Sequence, residues 1–371
     1  MPGSIQLSVL IGPGVPVPAP ADVVNAIDSV QITSSTETSA FQLTFKVGKN
    51  SKLQTILLPA GYFDPIITRI IIIVTINGMP NVVMDGVVTR QEMSPSSTVG
   101  ASTLTVTGED LSRMMDLVEM PFMRYPAMPV VAQVYAILAK YAVLGIVPIA
   151  VPPIIPDVTN PLEKVASQEG TDLHYIRKLA SGCGYVFYVE PGPAPGSSIA
   201  YFGPDIRIPS PQPPLNIDMG AQTNVESLSF SLDGTAKKIM VMTIFDPKTM
   251  KIPIPIPLPN INILRPPLGA RPTPPSKVEF PKDMADLKPA EALNKALGKL
   301  MDSNDAVTGN GSLDVLQYGH VLRSRMLAVV RGAGVAYDGL YYVNSVTHKI
   351  KPGDYKQDFE LSRDGLGSTL P

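Results

Sequence analysis

The chain has one cysteine, no tryptophan and three histidines in 371 residues. A lone thiol, Cys183, closes no intrachain disulfide, so folding does not depend on an oxidising compartment. It sits in Ser181-Gly182-Cys183-Gly184, ahead of an apolar run, and reads as a small buried hydrophobe. The histidines, His174, His320 and His348, lie in no HExxH spacing, and one cysteine cannot complete a Cys/His zinc set. Charge is sparse, with 17% charged residues and a net charge of -2, which excludes the basic footprint of a nucleic-acid binder. Aromatic residues make up 6%, too few for the girdles of a membrane β-barrel or the exposed rings of a carbohydrate-binding surface.

The familiar chemical signatures are missing as well. There is no GxSxG elbow and no GxxxxGK[ST] phosphate loop, and Gly12-Pro13-Gly14 is not GxGxxG. Residues Met1 to Pro20 lack the basic start and continuous apolar core of a signal peptide. The long apolar stretch from Met128 to Ile155 contains Gln133, Lys140, Pro148, Pro152 and Pro153, which suits a membrane span poorly. Its first half reads as a buried amphipathic helix and its second as an extended connector. The sequence nominates no catalytic, cofactor-binding or metal-ligating residue, and no cofactor.

What is abundant is apolar and turn-forming residues: 44% hydrophobic, 39 prolines and 29 glycines. Proline at that level disfavours a helical bundle and suits strands, turns and connectors. Phe41 to Val47 alternates with period two, as does Ser102 to Gly108. Arg69 to Ile76, RIIIIVTI, is apolar on both faces. Asn77-Gly78 directly after it predicts a tight reversal into a return strand over Val82 to Thr89. Helices are predicted after Glu109-Asp110, from Pro129, and from Thr171 or Asp172 to a stop at Gly182 and Gly184. Strands return at Tyr185 to Val189, Ser227 to Leu232, Ile239 to Ile244, Met326 to Val330, Tyr341 to Val346 and Tyr355 to Leu361.

Within the last third, Lys251 to Ser276 carries proline at alternate positions (Pro253, Pro255, Pro257, Pro259). Such a run predicts extended chain with few ladder bonds, either a docking strip or a stiff linker. Pro289 predicts a helix start after it. The expected fold class is mainly β (α+β): two tube-like antiparallel β-barrels, a small α+β domain between them and a proline-rich insertion. The boundaries are residues 1–115 for the first barrel, 116–199 for the α+β domain and 200–371 for the second barrel, with the insertion at about 245–311.

Three stretches in chain order resemble the phage late control protein D family. That family includes the hub proteins of contractile tails and the hub part of the type VI valine-glycine-repeat spike proteins. The stretches are MDGVVTRQEMSPSSTVGASTLTVTGEDLSRMMD from Met84, EGTDLHYIRKLASGCGYVFYV from Glu169, and DGLYYVNSVTHKIKPGDYKQDFELSRDG from Asp338. The proline-rich insertion has no counterpart in that pattern, and no spike module follows the third stretch. The resemblance implies a non-enzymatic baseplate hub, made in the cytoplasm and assembled into a phage tail or contractile injection particle. Its implied partners are itself, as a homotrimer, the hexameric inner tube protein, a separate spike protein and other baseplate proteins. It implies no nucleic-acid binding and no direct membrane span. On that reading the doubly apolar RIIIIVTI suits burial between subunits. A tail-tip cell-wall hydrolase with His174 or Cys183 in its site is the alternative.

Overall fold

Period-two patterning becomes a mainly antiparallel β protein. The computed structural model describes residues 5–98, 100–153, 166–207, 210–244, 254–257, 265–279 and 305–369. The first block comprises β1 (Ile5–Pro13), β2 (Val17–Pro18), helix α1 (Ala21–Val24), β3 (Ile27–Ser34), β4 (Ser39–Val47), β5 (Thr68–Ile76), β6 (Met79–Ser94) and β7 (Ser102–Asp110). In β4, Phe41, Leu43, Phe45 and Val47 are buried while Gln42 and Lys46 are exposed, as the alternation requires. Asn77 and Gly78 take φ of 52° and 81°, the left-handed pair that turns β5 back into β6. The return strand begins at Met79 and runs to Ser94, longer than the apolar run alone suggests.

RIIIIVTI is covered on both faces within one chain. Ile70, Ile72, Val74 and Ile76 join the main core, whereas Ile71 and Ile73 cluster with Val82. Its burial therefore needs no neighbouring subunit, contrary to the expectation. The first strand β1 carries Ile5, Leu7, Val9 and Ile11 at period two, and it pairs along the whole of β5.

A small α+β unit follows. Its elements are β8 (Arg124–Tyr125), α2 (Val130–Leu138), β9 (Ile146–Ala150), β10 (Ala166–Ser167), α3 (Asp172–Cys183), β11 (Val186–Pro191) and β12 (Ser198–Gly203). Pro129 precedes α2, Thr171 caps α3 by accepting from the His174 amide, and Gly184 closes α3 at φ 68°. The stretch after Gly145, expected as a connector, instead forms β9, which pairs in parallel with β12 despite Pro148. β12 lies in this three-stranded sheet, so residues 200–203 belong to the α+β unit rather than to the second barrel.

The second block holds β13 (Gln212–Asn216), β14 (Ser227–Leu232), then, across an insertion, β19 (Val307–Asp314), α4 (Val315–Tyr318), β20 (Leu327–Arg331), β21 (Gly339–Lys351) and β22 (Asp354–Arg363). The insertion spans Asp233–Ala306 and contributes β15 (Lys238–Ile244), β16 (Ile254–Pro257), β17 (Gly269–Pro272) and β18 (Lys277–Glu279). Val307 to Gly311, expected inside the insertion, is β19. Of the proline run, the described stretch Ile254–Pro257 is extended and paired: β16 lies antiparallel to β15. Because alternate residues of a strand point their N–H groups to opposite edges, Pro255 and Pro257 leave Ile254 and Ile256 free to donate. The helix expected from Pro289 lies outside the described residues. Strand β23 (Gly365–Ser368) pairs with β17.

The two blocks have one strand order. The first reads β3-β4-β7-β6-β5-β1 across the sheet, the second β14-β19-β22-β21-β20-β13. Both sets run in the same sequence order, each with a short helix after its first strand and another after its third. The helices are α1 and the π-turn Leu53–Leu57 in one block, and Gly220–Gln222 and α4 in the other. The blocks join edge to edge through β21 and β3, giving a 13-stranded sheet over one continuous core.

Candidate functional surfaces

Among the described residues, His, Cys, Asp and Glu side chains do not gather as a metal site. His348 is buried in β21 with Nδ1 2.7 Å from the Tyr355 hydroxyl, beside Gln357. Burial, then the nearby Arg323 charge, holds its pKa down to about 3, so the ring is neutral. His174 is exposed in the first turn of α3, and His320 is exposed beside Tyr318. Cys183 is half-buried against the core of the α+β unit, less enclosed than its apolar surroundings suggested. The structure does not bring these four residues together. Among the described residues no helix is long and apolar enough to cross a membrane. A cleft of about 370 Å³ opens where the blocks meet, lined by Ile5, Leu7, Val24, Ile27, Leu316 and Ile350 among others. Lys351 and Asp354 are the charged groups of that lining, and apolar side chains form most of the rest.

Buried polar groups serve instead as joints. Arg69 holds Asp85 with two 2.7 Å hydrogen bonds, while Ser198 of the α+β unit donates to the same carboxylate at 2.9 Å. Arg69 also donates to the Gly196 carbonyl at 3.2 Å. Asp110 ends β7 and accepts from the Ser112 and Ser39 amides at 2.9 and 2.6 Å, capping the helical turn that leads into the α+β unit. Burial raises the Asp110 pKa against those hydrogen bonds. Arg325 lies over the Tyr188 ring at 4.1 Å, 3.5 Å from Glu190, and donates to the Thr36 carbonyl at 3.2 Å. That one side chain ties the second block to the α+β unit and to the β3–β4 turn.

Polar rows run along part of the outward face of the joined sheet and cross both blocks. One cross-strand row reads Ser227, Ser312, Asp358, Thr347 and Thr33, and the next reads Lys356, Lys349, Gln31, Gln42, Thr107 and Arg90. Small hydroxyl and amide side chains dominate, and the charges are neutralised locally. Lys349 pairs with Asp358, Lys356 with Glu226 at 2.7 Å, and Arg90 with Glu92 at 2.9 Å. Ser227, Ser312, Thr347 and Asp358 of the first row line an open depression of about 530 Å³. Sequence reasoning found β4, β7, β14 and β22 of this face but not β3, β19 or the rows, because rows exist only once distant strands pair.

No protein-family model matches the chain, and no curated protein matches it. Solved structures do. The tail protein from Neisseria meningitidis MC58 superposes with a TM-score of 0.63 at 14% identity, covering 98% of both chains. The 43 kDa tail protein of prophage MuSo2 from Shewanella oneidensis gives 0.62 at 15% identity, covering 98% of this chain and 100% of its own. An Escherichia coli component of the type VI secretion system, itself described as similar to the T4 bacteriophage tail proteins gp27 and gp5, gives 0.53 at 11% identity over 93% of this chain and 76% of its own. The chain shares the fold of these tail proteins and of that type VI secretion component.

Proposed function

We propose that the chain is a structural baseplate hub, a homotrimer that adapts a hexameric inner tube to a separate trimeric spike. The observation that carries this reading is the shared strand order of the two blocks. A trimer meets a six-fold tube evenly only if each subunit offers two near-equivalent surfaces, and a repeated block in one sheet supplies two. The similarity to tail proteins supports assembly into a phage tail or contractile particle, and a neighbour solved as a Francisella PdpA–VgrG complex supports spike and baseplate partners. The α+β unit and the insertion then sit as additions to the ring. The insertion enters the second block between β14 and β19, where the first block has only the Ser35–Thr38 turn. The role is non-enzymatic, in keeping with a buried neutral His348 and an open polar sheet face. Electron-microscopic reconstruction of assembled tails tests it. Three copies between tube and spike are expected, and six copies, a dimer, or a position away from the tube end would sink the reading.

A further inference from the structure

The internal joint between the blocks is a template for a joint between copies. The alignment of the blocks is fixed residue by residue by two matching irregularities. β6 bulges between Val88 and Arg90 in its pairing with β7, and β21 bulges between Val343 and Ser345 in its pairing with β22. Just before the bulge, the Val88 carbonyl accepts from the Ile66 amide at 2.7 Å and the Val343 carbonyl accepts from the Arg325 amide at 2.8 Å. Ile66 and Arg325 are both non-glycine residues at positive φ, 70° and 63°, each two residues ahead of the next strand. Val88 therefore corresponds to Val343, and counting along both strands matches Gln91 with Val346, Glu92 with Thr347, Met93 with His348 and Ser94 with Lys349. Stepping across the ladders from Val88 and Val343 reaches Gly108 and Leu361, then Phe41 and Gly309, then Ile32 and Phe230.

In the internal joint, β21 uses the edge beyond its bulge to bind β3: Val346 opposite Ser34, Thr347 opposite Thr33, His348 opposite Ile32 and Lys349 opposite Gln31. Among the described residues, the counterparts of these two edges are open. β6 pairs with β5 only as far as Val87, and among the described residues no strand pairs with that edge from Arg90 onward. Among the described residues, β14 pairs with β19 alone. Burial follows the same division. At the internal joint, Ile32 and His348 are buried at 0% and 4% exposure, whereas Met93 and Phe230 at the open edges remain half-buried against the core.

We propose that these two edges pair between copies. Strand β6 of one chain binds β14 of the next, antiparallel, with Gln91 opposite Leu232, Glu92 opposite Ser231, Met93 opposite Phe230 and Ser94 opposite Ser229. Met93 and Phe230 become covered on the inner face. On the outer face, the Ser231 hydroxyl donates to the Glu92 carboxylate where the internal joint places the Thr33 and Thr347 hydroxyls 3.2 Å apart. The contact is head to tail, so it continues the sheet from copy to copy and removes both open edges when the ring closes. The inference rests on the hub reading for its ring of three; the register comes from this chain's own joint.

Paired cysteines test the register in assembled tail particles. In a full-length Cys183→Ala background, Met93→Cys with Phe230→Cys and, separately, Glu92→Cys with Ser231→Cys place thiols across the seam. Directly opposed antiparallel residues have Cα atoms about 4.5 or 5.5 Å apart in alternation, within reach of a disulfide. Oxidation should give a reducible ladder of one, two and three linked chains, with no ladder from any single cysteine. Particles that hold three copies but show no ladder from either pair overturn the seam and leave the hub reading standing. Particles that lack the chain overturn the hub reading, and the seam with it. A second arm is independent of thiol geometry. Glu92→Lys combined with Ser231→Lys, both at exposed positions, should abolish association while leaving the chain's own melting unchanged. Retained association in that variant overturns the seam.

Discussion

The two blocks share a plan and solve one packing problem in opposite ways. At matched positions, the outward side of β5 and β6 carries Arg69 and Asp85, and that of β20 and β21 carries Leu327 and Leu340. The first pair is a buried ion pair, with side chains 8% and 0% exposed, bonded to Ser198 and Gly196 of the α+β unit. The second pair is apolar and packs with Tyr342 and with Leu268 from the insertion. Asp364 holds that part of the insertion in place by accepting from the Leu268 and Gly269 amides at 2.8 and 2.9 Å. Each block thus covers its outer face with the segment the chain adds next to it, one through charge and one through oil. The contrast shows that strand order is the conserved constraint between the blocks, while the chemistry of the cover follows its partner.

Breaking the polar cover should cost most. Arg69→Ala leaves Asp85 buried without its counter-ion and should lower stability by about 3–5 kcal/mol in denaturant titration. The double replacement Arg69→Leu with Asp85→Leu copies the second block and should recover most of that loss, because an apolar pair removes the stranded charge. A double variant as unstable as Arg69→Ala would show that the two covers are not interchangeable. In the second block, Leu340→Ala removes apolar contact beneath Leu268 and should cost about 2–4 kcal/mol.

Comparison of the inner faces gives a pH-dependent test. His348 occupies the position that Met93 holds in the first block. Its folded pKa lies near 3, below the usual value of about 6.5 in an unfolded chain. Between those values the unfolded chain takes up a proton that the native chain refuses, so stability falls as pH drops below about 6.5. The loss runs at about 1.4 kcal/mol per pH unit, or about 2 kcal/mol by pH 5. His348→Met should lose the Tyr355 hydrogen bond at every pH but flatten that slope. Equal slopes for both proteins between pH 4 and 6 would place the titration elsewhere.

Much of each block was legible before pairing. Asn77-Gly78, the alternation of Phe41 to Val47, and the Thr171 and Gly184 helix ends are local signals, and each appears where its chemistry puts it. Other features had no local signal strong enough to read. β1 alternates well but lies among prolines and glycines, and β9 carries Pro148 in a stretch that looks like a connector. The joint between β21 and β3 links residues more than 300 positions apart, and the parallel pairing of β13 with β20 links residues more than 100 apart. For the same reason the polar rows could not be drawn from sequence, and two of their strands, β3 and β19, showed no pattern strong enough to read.

The smallest expected effect separates the two sides of the internal joint. Thr33 and Thr347 face each other on its outer side, both half-exposed, while His348 and Ile32 pack on its inner side. Hydroxyls at the surface exchange a mutual hydrogen bond for bonds to water, so the net contribution of such a pair is small. Thr347→Val keeps the β-branched shape that suits a strand and deletes only the hydroxyl. It should change stability by about 0.5 kcal/mol or less, because the surface range for such changes is about ±0.5 kcal/mol. Ile32→Ala, one position along the same pairing and on its inner side, should cost several times more. If Thr347→Val matched Ile32→Ala in a denaturant titration, the outer row would be carrying the joint, and the polar face would be a structural seam rather than a surface held open for another protein.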